Sequence, residues 1–117
     1  MQALYNHTGE LIAYQYQHML LHPVNLTVLG LVIGDCVFGS QARVLGKVFQ
    51  RKVYNMSGEV LARREEKPLL LPEKFDIKSS ITQAWRILMK IRDHACPWVD
   101  TKEKWSQASL DELLYID

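Results

Sequence analysis

One pattern of apolar and polar positions occurs four times within the first 62 residues. Each copy has an apolar–aromatic pair, a four-residue turn, an apolar pair, and then alanine or glycine. The copies begin at Leu4, Leu21, Val37 and Val53, so their spacings are 17, 16 and 16 residues. This period holds two strands and two turns, a unit too small to bury its own apolar face. The pattern predicts an all-antiparallel β unit of four hairpin repeats over residues 1–66, with pseudo-four-fold symmetry.

The turn sequences of the first and fourth copies indicate how the hairpins close. Asn6-His7-Thr8-Gly9 and Asn55-Met56-Ser57-Gly58 place asparagine first and glycine last. This order is typical of a type I turn followed by a glycine bulge. The second and third copies lack the turn glycine, and a different turn is open for the second one.

A small residue recurs inside the second strand of every copy, at Ala13, Gly30, Gly46 and Ala62. Such a position indicates close approach of another backbone or side chain, and four of them suggest packing near a common axis. The apolar pairs before them point to opposite sheet faces. We therefore expect burial on both faces, inward by closure of the repeats and outward by the C-terminal segment or a second subunit.

Residues 67–117 follow a different pattern and complete an α+β fold. Two prolines bracket residues 67–72, which predicts an extended strap laying three leucines on the β unit. Ser80-x-x-Gln83 has capping-box spacing and predicts an amphipathic helix from there to near His94. Ser109 to Glu112 predicts a second, short helix at the C-terminus. This segment is expected to pack on the β unit or on a second subunit.

Composition narrows the class of partner and compartment. The net charge is +1, and 23% of residues are charged, which gives no argument for nucleic acid. The basic cluster Arg43, Lys47, Arg51 and Lys52 is better explained as a solvated strand edge. No stretch reaches the roughly 20 apolar residues of a membrane-spanning helix, and no signal-peptide pattern is present. Two cysteines do not form a disulfide framework, so we expect a reduced, cytoplasmic protein.

The units Leu-Tyr-Asn-x-x-Gly-Glu-Leu-Ile-Ala at 4–13 and Val-Tyr-Asn-x-x-Gly-Glu-Val-Leu-Ala at 53–62 carry a family resemblance. The chain resembles the bacterial four-fold β-flower domain over about residues 2–64, in repeat number and register. That resemblance implies four short hairpins around a pseudo-four-fold axis. The family has no assigned activity, so the resemblance implies no catalytic residues, and the C-terminal half lies outside it.

Motifs of catalysis, cofactor binding and metal binding are missing from the sequence. It has no dinucleotide-binding glycine motif, no phosphate-binding loop, no nucleophile elbow and no zinc-protease motif. The four histidines and two cysteines show no metal-ligand spacing. We therefore expect no catalytic residue, cofactor or metal; the open alternative is a site assembled in three dimensions from His22, Cys36 and a carboxylate.

Six side chains are weak candidates for contact with a ligand or partner. The position after each repeat start is Tyr5, His22, Phe38 or Tyr54, and symmetry would bring these rings together to stack a planar ligand. The alternative, which we favour, is that they fill the core or cover hairpin edges. Trp98 and Trp105 are candidate interface anchors, although packing onto the helix is the favoured role.

These observations lead to a non-enzymatic β-repeat module that mediates protein–protein contact, including self-association as a homodimer. A small-ligand-binding or enzymatic domain with a pocket near the pseudo-symmetry axis is the alternative, and its ligand is not indicated. A third hypothesis follows from Val-Leu-Gly-x-Val at 44–48, which resembles compact barrels of ribosome-associated or photosynthetic adaptor proteins. Such a barrel should lack four-fold periodicity.

Overall fold

Eight antiparallel strands close into a barrel, and two short helices follow them. The computed structural model describes residues 1–92 and 98–116. Each strand pairs with the next along the chain, and the last pairs with the first. The strands are β1 (Gln2–Tyr5), β2 (Leu11–Tyr16), β3 (Met19–Leu21), β4 (Val28–Ile33), β5 (Cys36–Gly39), β6 (Val44–Phe49), β7 (Lys52–Asn55) and β8 (Val60–Arg64). The helices are α1 (Ile77–Leu88) and α2 (Leu110–Ile116).

Closure of the barrel confirms the predicted all-antiparallel β unit. β1 pairs with β8 through Leu4↔Arg64 and Tyr5↔Arg63, so the terminal strands of the sheet cover each other's open edges. A closed sheet has no unpaired edge and buries its inner face completely. The pseudo-four-fold symmetry of the hairpins stays a prediction.

A β-bulge occurs in each of the four repeats and explains the paired apolar residues. Where β1–β2, β3–β4, β5–β6 and β7–β8 pair, the register shifts by one residue. A bulge adds one residue and bends the strand, which increases its twist. The extra residues all lie in the barrel core or pack against it. They are the second apolar residue of each copy: Ile12, Leu29, Leu45 and Leu61.

The small residues next to the bulges lie where strands approach closely, as predicted. A Cβ atom on Gly30 would lie 2.2 Å from the carbonyl oxygen of Phe38, and one on Gly46 would lie 2.0 Å from that of Tyr54. Ala13 and Ala62 are fully buried in the same core cluster. Backbone therefore occupies the space that a side chain at Gly30 or Gly46 would need.

Asparagine and glycine form the predicted turns of the first and fourth hairpins. Oδ1 of Asn6 accepts hydrogen bonds from the backbone N–H groups of Thr8 and Glu10. Gly9 has a φ of 83°, and Gly58 has the same left-handed backbone with a φ of 87°. The third hairpin makes an equivalent turn with Ala42, whose φ is 65°.

The second hairpin differs from the predicted register by one residue. Leu20 pairs with Gly30 and Leu21 with Val28, so Leu21 lies at the bulge, like Tyr5 in the first copy. The predicted place of His22 in the aromatic ring is therefore wrong. Its ring begins the turn instead, and Nδ1 accepts hydrogen bonds from the two backbone N–H groups of residues 24 and 25. One extra residue in the second turn causes the shift, because Leu20 and Val28 are eight residues apart whereas the equivalent Leu4 and Leu11 are seven apart.

The strap and the start of the first helix also differ from prediction. Leu70 is 94% exposed, so the expectation that all three leucines lie on the β unit is wrong. Helix α1 begins three residues before Ser80, and Asp76 is its N-cap: Oδ1 accepts a hydrogen bond from the Ser79 N–H at 3.0 Å. It ends at Leu88 rather than near His94, a residue outside the described ones.

The Asp76 cap can be tested through stability. Asp76→Ala removes the acceptor for an N–H group of the first helical turn and should lower the free energy of unfolding by about 1 kcal/mol. Glu73→Ala, an exposed carboxylate just before the helix, is the matched control and should have almost no effect. Urea denaturation followed by circular dichroism measures both; equal losses would contradict the cap assignment.

Helix α2 closes the core of the barrel. Leu110 and Leu114 are buried and belong to the cluster formed by the inward-facing strand residues. Leu113 packs against that cluster from the same helix. The C-terminal helix is therefore part of the barrel core in this chain.

Candidate functional site

Helix α1 packs on the outside of the barrel with only part of its apolar surface. Ile87 is buried against Met19, Leu21 and Leu31, and Ala84 packs against the same outer cluster. A polar contact fixes the helix further, because Oε1 of its Gln83 accepts the backbone N–H of residue 28 at 3.0 Å. This contact surface takes up one side of the helix and leaves its neighbouring apolar side uncovered.

The uncovered side is a row of large apolar residues that we call the α1 stripe. Its members recur at spacings of three or four residues, which places them along one face of the helix. Trp85 is 57% exposed and Met89, the C-cap residue, is 74% exposed. The α1 stripe consists of Ile77, Ile81, Trp85, Leu88 and Met89.

A groove of about 350 Å³ runs between the α1 stripe and the barrel. Its helix wall is formed by Ile81, Ala84, Trp85 and Leu88. The barrel wall consists of Gln17, His18, Met19, Leu31 and Ile33. An apolar groove with few polar groups at its edge suits an apolar ligand or the side chains of a partner.

The β2–β3 turn holds the barrel wall of the groove in place. The backbone N–H of Val32 donates to the carbonyl oxygen of His18 at 2.8 Å. The His18 ring is also bound, because Nδ1 lies 3.2 Å from the carbonyl oxygen of Val32 and donates to it. Two hydrogen bonds between the same residues give this wall a fixed position.

The predicted aromatic ring residues lie on different hairpins and in different surroundings. Phe38 is fully buried, and Tyr54 is nearly so. The guanidinium group of Arg63 lies 5.6 Å from the Tyr5 ring centroid, a cation–π contact. His22 faces Tyr115 of α2 at 6.2 Å between ring centroids. Their role as ligand contacts stays a prediction.

Trp98 lies against β6 of the third hairpin. Its ring makes an edge contact with Phe49, at 6.0 Å between centroids, and the Lys47 ammonium lies 5.5 Å from its centroid. Nε1 of Trp98 donates to Asp100 at 3.1 Å. The residue is 68% exposed, and these contacts place it on the barrel, whereas packing on the helix was the favoured expectation.

Trp105 forms part of a polar cleft of about 630 Å³ beside the first turn. Its ring stacks on His7 with 4.9 Å between centroids and an angle of 10° between the planes. The backbone around it pairs with β8, because the N–H of Ser106 donates to the carbonyl oxygen of Val60 at 2.8 Å. The ring stacking on His7 and this backbone pairing therefore attach the segment before α2 to the barrel.

The barrel interior is filled by core side chains. Leu4, Leu20, Val37 and Val53 from the four short strands meet the α2 leucines in one cluster. The alternative hypothesis of a ligand pocket near the pseudo-symmetry axis stays a prediction.

Cys36 is buried in β5 and is not a free thiol, which differs from the reduced state expected from the sequence; Cys96 lies outside the described residues. Within residues 1–92 and 98–116, no three His, Cys, Asp or Glu side chains are grouped closely enough to hold a metal ion. The cytoplasmic location stays a prediction.

Sequence reasoning expected the segment of residues 67–117 to pack on the β unit or on a second subunit, but did not select the α1 stripe. Ile77 was missed because the helix was predicted to start at Ser80. The sequence does contain a signal, which is the number of apolar positions around the helix. These positions cover more of the helix surface than one contact can bury. They are Ile77, Ile81, Ala84, Trp85, Ile87 and Leu88.

None of the helices that the structure describes is long and apolar enough to cross a bilayer. No curated protein and no solved structure matches the chain significantly. The family model of the 4-fold beta flower protein matches residues 2–114. That match extends through the C-terminal half, which was expected to lie outside the resemblance. The chain therefore belongs to the 4-fold beta flower protein family.

Proposed function

We propose that this protein is a non-enzymatic β-barrel module that mediates protein–protein contact through the α1 stripe and the groove beside it. The observation that supports this most directly is the exposure of five large apolar side chains on one helix. Folded proteins rarely leave a contiguous apolar patch in water unless another molecule covers it. The groove gives such a molecule a place for protruding side chains.

The barrel supplies a fixed platform for this surface. Its four hairpins, which we infer to be related by a pseudo-four-fold axis, share one filled core. Helix α1 is attached to the outside of that platform by Ile87 and Gln83. A partner can therefore bind the α1 stripe without rearrangement of the barrel.

Photo-crosslinking in living cells tests the proposal at single positions. Benzoylphenylalanine at Ile81 lies in the α1 stripe. The same residue at Arg86 is turned by about 140° around the helix, at 100° per residue. We expect a protein adduct from position 81 and little from position 86.

The mass of the adduct identifies the partner. An adduct of two copies of the chain indicates self-association, and one with a different protein indicates a hetero-complex; either supports the contact function. Equal adducts at the two positions, or no protein adduct at position 81, would overturn it.

A further inference from the structure

We propose that the molecule covering the α1 stripe is a second copy of this chain, bound in an antiparallel two-fold arrangement. This inference rests on the proposed function, because it names the partner of that same surface. It follows from the spacing of the exposed residues along α1, from the apolar area that they leave in water, and from the position of Lys78 beside them.

Four residues of the α1 stripe form a ridge with an even spacing. Ile77, Ile81, Trp85 and Met89 follow one another at intervals of four residues. Reversing the direction of this row leaves its spacing unchanged, because Ile81 then takes the place of Trp85 and Ile77 that of Met89. A two-fold interface needs this property, since each contact of one residue with another is repeated in the opposite sense. The ridge therefore matches itself when the two helices run in opposite directions.

Ridges of this kind are the ones that pack most often between helices. A row of residues four apart fits beside the same kind of row on a second helix, at a crossing angle of about −50°. In such a pair, Trp85 of one copy packs beside Ile81 of the other, and the two-fold axis repeats the contact. The groove between α1 and the barrel lies along the same ridge. Each copy therefore offers its groove to side chains of the other.

The exposed apolar area of the α1 stripe matches what a dimer needs. Its five side chains are exposed by 37% to 74%. A large side chain covers roughly 200 Å² when it is fully exposed, so the stripe leaves on the order of 500 Å² in water. Two stripes packed together bury about 1,000 Å², the size at which specific interfaces begin. A second copy supplies this area from the same surface, and no further segment is needed.

The charge of Lys78 selects the antiparallel direction. Lys78 precedes Trp85 by seven residues, so it lies on the same side of the helix, beside the ridge. It is five residues from the midpoint between Ile81 and Trp85, which separates the two lysines by about 15 Å along the helices. That distance exceeds the screening length of about 8 Å at physiological ionic strength. Each lysine instead approaches the C-terminal turn of the other α1, where a cation is favourable.

The remaining cations on and after α1 are placed or engaged elsewhere. Arg86 is turned by about 140° from Ile81 around the helix. The Lys90 ammonium donates to the carbonyl oxygen of Ser40 on the barrel at 3.4 Å. Arg92 is also engaged by another group. The charge around the α1 stripe is therefore compatible with a second copy.

Sedimentation velocity of the full chain measures self-association and locates its surface. The wild-type chain should form a dimer of twice 13.6 kDa at the upper end of a concentration series. Trp85→Glu should weaken the dimer at least about thirtyfold, because it places a charge against apolar side chains at the centre of the contact. Arg86→Glu introduces the same side chain one residue later, away from the ridge, and is the matched control. It should leave the dissociation constant unchanged.

A further variant keeps the test independent of folding. Trp85 and Arg86 are both exposed, so circular dichroism and thermal melting should show that their variants remain folded. Met89→Glu changes a residue that is 74% exposed at the end of the ridge, and it should also weaken the dimer. If Trp85→Glu does not fold, a folded Met89→Glu variant with the wild-type dissociation constant overturns the proposal.

Photo-crosslinking from position 81 reports the direction of the second helix. Benzoylphenylalanine at Ile81 should give an adduct of two copies. Mass spectrometry of its peptides should place the second attachment within residues 85–89 of the other copy. Attachment within residues 77–81 indicates a parallel pair and overturns the antiparallel arrangement, as does attachment outside α1.

The outcomes separate this inference from the proposed function. A monomer at every concentration, together with an adduct to a different protein, overturns the second copy and supports contact through the α1 stripe. A dimer that Trp85→Glu leaves intact, or that Arg86→Glu weakens equally, overturns the inference. If position 81 gives no protein adduct at all, both fail.

Discussion

Gly46→Val is expected to lower the free energy of unfolding by at least about 3 kcal/mol. The Cβ of the new side chain would lie 2.0 Å from the carbonyl oxygen of Tyr54 and 3.0 Å from its carbonyl carbon. Both atoms belong to the backbone of β7, the strand paired with β6, so a side-chain rotation cannot relieve the clash. Overpacking typically costs about 1–3 kcal/mol, and a contact with backbone belongs at the upper end of that range.

Urea denaturation followed by circular dichroism measures this loss. At a typical dependence of about 2 kcal/mol per molar urea, the midpoint should fall by about 1.5 M. Gly34→Ala is the matched control, because a Cβ there has no neighbour within 4 Å and only the positive φ of 61° is unfavourable. That variant should lose about 1 kcal/mol. Similar losses in the two variants would contradict the close approach of β6 and β7.

The repeat made the barrel predictable, and one turn shows the limit of that reasoning. A strand pattern with a small residue in every copy indicated the β unit and the close approaches at Gly30 and Gly46. The bulges at Ile12, Leu29, Leu45 and Leu61 were not predicted, because the adjacent apolar residues were interpreted as pointing to opposite faces of a regular strand, whereas each pair contains the extra residue of a bulge. The second register was misplaced because Leu20 and Leu21 are both suitable repeat starts, and the extra turn residue decides between them.

The surface of α1 was less predictable than the barrel for a different physical reason. The apolar residues of a helix sequence do not show how many of them a single contact buries. Helix α1 rests on β4 and its neighbours along the side of Ile87, and its stripe around Trp85 is left exposed. Helix α1 starts at Ile77 because Asp76 is its N-cap. In the sequence, the Ser80-x-x-Gln83 spacing is a second signal for a helix start, and it predicts a later one. Only the packed structure resolves these choices.

Leu114→Ala is the second substitution with a large expected effect, about 2–5 kcal/mol of unfolding free energy. Leu114 is buried in the barrel core, and its Cδ2 atom would lie 3.2 Å from a Cβ built on Gly30. The leucine therefore packs directly over a backbone position that has no side chain of its own. Truncation leaves a cavity between α2 and β4, which the closed sheet cannot collapse to fill.

The Leu114 variant also decides whether α2 belongs to the folding unit of the barrel. Leu110→Ala should give a similar loss, because that side chain is fully buried in the same cluster. Glu112→Gln, on an exposed position of α2, is the control and should cost about 0.5 kcal/mol through the helix dipole. A single transition with a lower midpoint in the leucine variants is expected when fluorescence and circular dichroism are compared. Wild-type stability in both leucine variants would mean that the barrel folds without α2, and its core would then have to be complete within residues 1–66.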